Sequence, residues 1–508
     1  MPGGQTAHFD VVIVGSGAGG GTMVRALAGT EAQVLLLERG FPVPQEDENW
    51  DPAAVWQQAR YRPDEKWLDG RGREFRPFVH YVVGGNTKFW GSVLYRLRPD
   101  DFDSVEHLDG VSPAWPIDYK TLAPWYDKAE RLYQVHGQRG SDPSDAAESN
   151  PFPYPPVPHE ATMAGLVQSI AKQGLTPAYL PLGLVDPGEP GGCMLCSTCN
   201  SFPCRIRAKS DADTMCVEPA VEFENVTMWT GARAHRLITD PSGRRVTAVE
   251  VEHHGERVKV SAPVVVVSCG AANSAALLLR SANDKHKNGL ANSSDLVGRR
   301  YMAHLATMLE AFHPWRVNPI VFQKTVAIND FYRATNGHPY PLGHIQSQGR
   351  AHAPIVQAVA PVVPLWAAEA WVKRGVDWLA MSEDLPREDN RVTLSPGGRI
   401  QLSYRPNNVA AHTTLVAEAV RIFRRLGFWK VIRHSFKVSN TTHQCGTAVF
   451  GTDPKSSVLD TYCRTHDVEN LFVVDASFFP SSAAVNPGLT IIAQALRVAD
   501  HLLQNDLR

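Results

Sequence analysis

Phe9–Val14 is a short β-branched run that passes directly into Gly15-Ser16-Gly17-Ala18-Gly19-Gly20, and a helical pattern follows through Leu27. This strand, glycine turn and helix restrict the fold more than any other feature. The spacing is G-x-G-x-x-G. Gly15 permits the tight turn, Gly17 lets backbone approach a pyrophosphate, and Gly20 lets helix pack on strand. The N–H groups opening the helix then face the phosphates. A second apolar run, Val34–Leu37, ends at Glu38, where a carboxylate accepts from ribose hydroxyls and repels a 2′-phosphate. The fingerprint does not distinguish a nicotinamide from a flavin dinucleotide.

No second unit of this kind follows directly. Phe41–His80 is rich in Pro, Trp and charge and reads as an excursion with little regular structure. Gly140–Pro158 reads as a surface loop, and Val226–Val267 as strands with a Ser242–Gly243 turn. His304–Ser403 holds short strand-like segments that suggest an antiparallel sheet, and Thr413–Leu426 is an amphipathic helix. Strand and helix signals of the opening kind return in Val264–Val267 with Ala271–Leu279, and in Leu471–Val474 with Thr490–Leu503. The expected fold is therefore α/β (α+β overall). A Rossmann-like nucleotide domain is assembled from both chain ends, over residues 1–100, 190–300 and 440–508. A substrate domain with an antiparallel sheet is inserted as residues 101–189 and 301–439.

A chain of 508 residues suits two or three units sharing cores. A net charge of -2 gives no basic excess for nucleic acid or anionic lipid. No apolar run is long enough for a membrane span. Met1–Asp10 lacks the pattern of a secretory signal, so a cytoplasmic enzyme is expected.

Three further stretches carry a family pattern. They are Val83-Gly84-Gly85-Asn86-Thr87-Lys88-Phe89-Trp90-Gly91-Ser92, Thr442-His443-Gln444-Cys445-Gly446-Thr447, and Leu471–Pro480 followed by Asn486-Pro487-Gly488-Leu489-Thr490. With the fingerprint, they resemble the glucose-methanol-choline (GMC) oxidoreductases over almost the whole chain and in the same order, the second stretch being similar to that family's catalytic-histidine strand. The details resemble bacterial pyranose oxidases and C-glycoside 3-oxidases: Gly-Gly-x-x-x-x-Trp, and Asn rather than a second His as catalytic partner. The resemblance implies FAD, held by Gly15, Gly17, Gly20, Glu38, Gly85, Asn86, Thr87, Trp90, Gly91, Ala232, Cys269, Asp475, Ala476, Asn486 and Thr490. Fungal pyranose oxidases tether the flavin through a histidine just before that tryptophan. Phe89 stands here, so a noncovalent FAD is implied.

Alcohol oxidation removes a proton from oxygen and a hydride from carbon, the hydride going to flavin N5. An imidazole suits the proton. His443 is the candidate base, and Asn486 is the candidate for orienting the hydroxyl. Asn486 also reads as a cap of the helix after Pro487. His304 is a candidate to face the pocket. Trp90, Trp115, Phe322, Tyr332, Tyr340 and Trp366 are candidates for stacking on substrate. The expected reaction oxidises a secondary hydroxyl of a sugar or C-/O-glycoside and passes electrons to O2, forming H2O2. Two alternatives stay open: a dehydrogenase delivering electrons to a quinone, haem or iron–sulfur acceptor, and a flavin-containing lyase. Cys193, Cys196, Cys199 and Cys204 have metal-ligand spacing, but structural thiols and a disulfide or redox pair are alternatives. No metal is assigned, and a homo-oligomer is left open.

Overall fold

The computed structural model describes residues 7–146 and 149–507; Met1–Thr6, at the chain start read above, lie outside the described residues. Five parallel strands form the central sheet, in the order Val226–Trp229, Val34–Leu37, Val11–Val14, Val264–Val267, Leu471–Val473. The four inner and last strands are wholly buried and almost uninterruptedly apolar: VVIV, VLLL, VVVV and LFV. A parallel sheet covered on both faces demands this composition. The helix Ala18–Leu27 packs against Gly488–Asn505, so the two chain ends share one layer.

A six-stranded sheet runs Lys430–Ser435, Leu305–Phe312, Gly375–Ser382, His344–Ser347, Val326–Ile328, Pro177–Tyr179, antiparallel throughout. Its two faces separate by the period of two. Leu309, Ala311, Trp378 and Ala380 pack on Leu415, Ile422 and Phe423 of the helix Val409–Arg425. The alternate positions Ala306, Met308, Leu379 and Met381 turn the other way, into a cavity.

Three local expectations are corrected. The excursion after Phe41 carries the strands Trp67–Asp69 and Glu74–Phe75, and the former pairs in parallel with Ile400–Ser403. The Gly140–Pro158 segment is not merely a surface loop, because Asp142 and Ser144 are buried and Asp142 pairs with Arg98 at 2.6 Å. The segment around His443 is no strand. It is irregular apart from a single bridge between Cys445 and Met302.

Candidate active site

A cavity of about 460 Å³ opens where the parallel strands end, and it extends to the antiparallel sheet. Ligands in open parallel sheets bind at these carboxyl ends. Gly15, Gly17, Glu38, Gly85, Asn86, Thr87, Trp90, Gly91, Ala232, Cys269, Asp475, Ala476 and Asn486 all line it. A Cβ on Gly17 would meet nothing within 4 Å, so this turn faces open space. Gly20 does not line the cavity. It packs on the turn, where a Cβ would stand 1.9 Å from the Gly15 carbonyl oxygen.

Glu38 is buried yet reaches the cavity. Ser16 donates to it from Oγ at 2.6 Å and from its backbone N–H at 3.2 Å, and the Gly40 N–H donates at 2.8 Å. Burial raises its carboxyl above the usual range against these bonds. Asp475 differs from expectation. Both of its oxygens are taken by protein donors: Gly270 N–H at 2.9 Å, the Ser274 hydroxyl at 2.5 Å, and Ser477 N–H and hydroxyl at 2.8 and 2.5 Å. Its side chain ties two strand ends together, which leaves backbone for a ligand. Thr490 is a plain correction. It is fully buried, outside the cavity lining, and hydrogen-bonded to the Tyr126 hydroxyl at 2.8 Å.

The segment Gly85–Gly91 connects the two ends of the site. A Cβ on Gly85 would lie 3.4 Å from Gly17, and one on Gly488 would lie 2.8 Å from the Trp90 ring. Lys88 clamps this segment through buried ion pairs with Asp213 at 2.9 Å and Asp211 at 3.2 Å. Sequence reading missed the clamp because its members are far apart along the chain.

At the far end, His443, His304 and Asn486 come together. His304 Nε2 lies 3.1 Å from the Ser482 carbonyl oxygen, which can only accept, so Nε2 carries the proton. A neutral His304 then has a bare Nδ1, which accepts from His443 Nδ1–H at 2.9 Å. His443 Nε2 is left bare, 3.4 Å from the Asn486 amide nitrogen, which donates to it. Burial holds His443 well below the usual imidazole range, and the neighbouring His304, Lys324 and His344, any of which would repel a second proton when charged, act in the same direction. Burial likewise lowers His304. Both rings are thus neutral near pH 7. Asn486 Oδ1 is buried without a partner. Asn486 is not a helix cap: Pro487 holds that position, with no side-chain cap, and the amide turns to His443.

Of the six aromatic candidates, Trp90 lines this cavity. Trp115 packs among Phe102, Phe450, Phe478 and Phe479, Phe322 is core, and Trp366 is 74% exposed. Tyr332 and Tyr340 line a separate cavity. All eight cysteines are free thiols, Cys193 and Cys199 buried. Among the described residues, no group of three or more His, Cys, Asp or Glu is arranged to hold a metal. Nor is any described helix long and apolar enough to cross a membrane.

The fold and this site define a dinucleotide-dependent oxidoreductase with two paired imidazoles at the far end of its cavity. Two profiles described as GMC oxidoreductase match residues 49–306 and 386–495. The chain is 30% identical to 6'''-hydroxyparomomycin C oxidase of Streptomyces lividus, over 99% of this chain and 93% of that protein. It is 28% identical to the fructose dehydrogenase large subunit of Gluconobacter japonicus, over 99% of both. The crystal structure of pyridoxine 4-oxidase from Mesorbium loti matches with a TM-score of 0.69 at 21% identity, over 98% of this chain and 99% of that one. The chain belongs to the GMC oxidoreductase family. Its cofactor is FAD, and it acts on CH–OH groups. The residues present fit FAD: the open turn at Gly17 would accommodate a pyrophosphate, Glu38 would meet a ribose, and the Gly85–Gly91 wall would flank a ring.

Proposed function

We propose that this chain oxidises a secondary hydroxyl of a sugar or glycoside, a pyranose or C-glycoside, to a keto-sugar and passes the electrons to O2, forming H2O2. The observation that carries the reading is the bare His443 Nε2, fixed by His304 and facing the cavity beside Asn486. Bound FAD supplies the two-electron acceptor. A substrate hydroxyl between the pair donates its proton to His443 Nε2 and accepts from the Asn486 amide. His304 is a positioning residue that fixes the His443 tautomer. The sugar assignment is supported by relatives whose names include fructose dehydrogenase.

The cavity wall formed by the antiparallel sheet suits a substrate with an apolar half. Met308 faces Leu379, and Ala306 faces Met381, across two strands, with Phe436 beside them. Gln346 and His434 extend the Met308–Leu379 row at either side. Among the described lining residues the carboxylates are Glu38 and Asp475, both at the nucleotide end, while Lys324 and Arg350 face the remainder. Neutral glycosides are therefore expected to reduce the flavin faster than amino-substituted ones. Mixing the holoenzyme with a panel of both, anaerobically and in air, reads flavin absorbance and peroxide. No bleaching by any glycoside overturns the substrate class.

Bleaching without peroxide would favour the second reading, a dehydrogenase.

The flavin is expected to be noncovalent. Acid precipitation should release FAD to the supernatant, because Phe89 has no nucleophile. Colour retained in the pellet would overturn this and would point to His80, which stacks on Phe89 with ring centroids 3.7 Å apart. His80 Nδ1–H donates to the Tyr61 carbonyl at 3.1 Å, and its buried Nε2 has no partner.

A further inference from the structure

We propose that Lys324 supplies the positive charge that answers the negative charge gained by the flavin ring when substrate is oxidised. Lys324 is 1% exposed and lines the cavity. Its ammonium donates to the Gly91 carbonyl at 2.5 Å and to Asn200 Oδ1 at 3.0 Å. An ammonium has three donors, and the protein accepts two. Both acceptors are neutral. Cys199, Lys209 and His443 interact with Lys324, none of them a carboxylate, and burial lowers the ammonium to about 7. Burial also raises the Cys199 thiol, so that group brings no countercharge near neutral pH. Lys88 makes the contrast, since two buried aspartates answer its charge. A buried cation left without an anion is costly, and in a cleft it marks a group whose partner comes with the ligand.

The position identifies that partner. The Gly85–Gly91 wall runs from the Gly17 turn to the Trp90–Gly488 contact beside Asn486, and Lys324 is fixed to the His443 end of it. A bound redox ring reaching a carbon whose hydroxyl sits at His443 would lie along this wall. In the reaction, the hydroxyl proton goes to His443, while a hydride, two electrons with one proton, moves from carbon to the ring. The ring thereby gains one negative charge. A fixed, buried cation beside the ring would favour that state more strongly than the oxidised one.

Sulfite tests this without any alcohol, so its outcome stands whether or not the glycoside panel yields a substrate. Sulfite adds through its sulfur lone pair to the ring nitrogen. One S–N bond forms, no group leaves, and the ring becomes one charge more negative as its colour bleaches. Two holoenzyme variants are compared with the native one. Lys324→Met removes the charge at similar volume, and Asn200→Asp pairs it in place. Both should retain FAD and the oxidised spectrum while raising the sulfite dissociation constant about tenfold or more. Native holoenzyme that sulfite does not bleach overturns the proposal. So does a native-like dissociation constant in either variant. Should Lys324→Met yield no holoprotein, Asn200→Asp decides alone.

Discussion

Replacing His443 by alanine is expected to slow anaerobic reduction of the bound FAD by substrate at least about a hundredfold, with the cofactor and its oxidised spectrum retained. A hydride leaves readily only from an alkoxide-like carbon, so loss of the proton acceptor strikes the chemical step more than binding. Asn486→Ala should be impaired less, because it removes orientation and one hydrogen bond. His304 Nε2–H stays engaged by Ser482, but its Nδ1 is freed once His443 is removed, so His304 is the next candidate base should the variant keep a native rate. The pH dependence has a definite sign. His443 lies well below its ordinary 6.5, so the neutral base persists on acidification through that value. The rate should fall only in more acidic solution, as the ring takes up its proton. Stopped-flow reduction of native and variant holoenzymes between neutral and acid pH measures both. A native rate in His443→Ala removes it as the base, and loss of FAD makes it a structural residue.

The parts of this protein legible from sequence are those fixed by local periodicity. Val11–Val14, Val34–Leu37 and Val264–Val267 announce a two-sided sheet because burial on both faces excludes polar residues. Glu38 is legible because it follows such a run at a set distance. The antiparallel sheet near His304–Ser403 is visible as short strands, but its cavity face is not. Which of Met308 or Leu309 faces the cavity depends on the helix Val409–Arg425 covering one side. The proposed roles of His304, Lys88 and Lys324 were beyond sequence reading for one reason: each is defined by a partner more than a hundred residues away. Thr490 and Asn486 show the converse. Both belong to the C-terminal motif; the resemblance implied cofactor contact for both, and local spacing read Asn486 as a helix cap as well. The neighbouring Tyr126 captures the first, and His443 the second.

Gly17 and Gly20 belong to one fingerprint, yet alanine at each is expected to fail differently. At Gly20 a Cβ would stand 1.9 Å from the Gly15 carbonyl oxygen and 3.0 Å from its carbon, both backbone atoms of the tight turn. Neither can yield without breaking the fit of helix to strand, so Gly20→Ala should cost about 3 kcal/mol of stability with or without cofactor. At Gly17 the backbone is φ -68, ψ -162, which any residue adopts, and a Cβ meets no protein atom within 4 Å. The apoprotein should therefore melt as the native apoprotein does. The added methyl instead occupies the approach to the pyrophosphate, and FAD affinity should fall about a hundredfold. Ligand binding to the folded state alone raises its melting temperature. Added FAD should then raise the melting temperature of native apoprotein well above that of Gly17→Ala at the same concentration. Equal FAD-dependent shifts would mean that the pyrophosphate does not lie against this turn. A destabilised Gly17→Ala apoprotein would mean that the space beside Gly17 is needed by the fold itself.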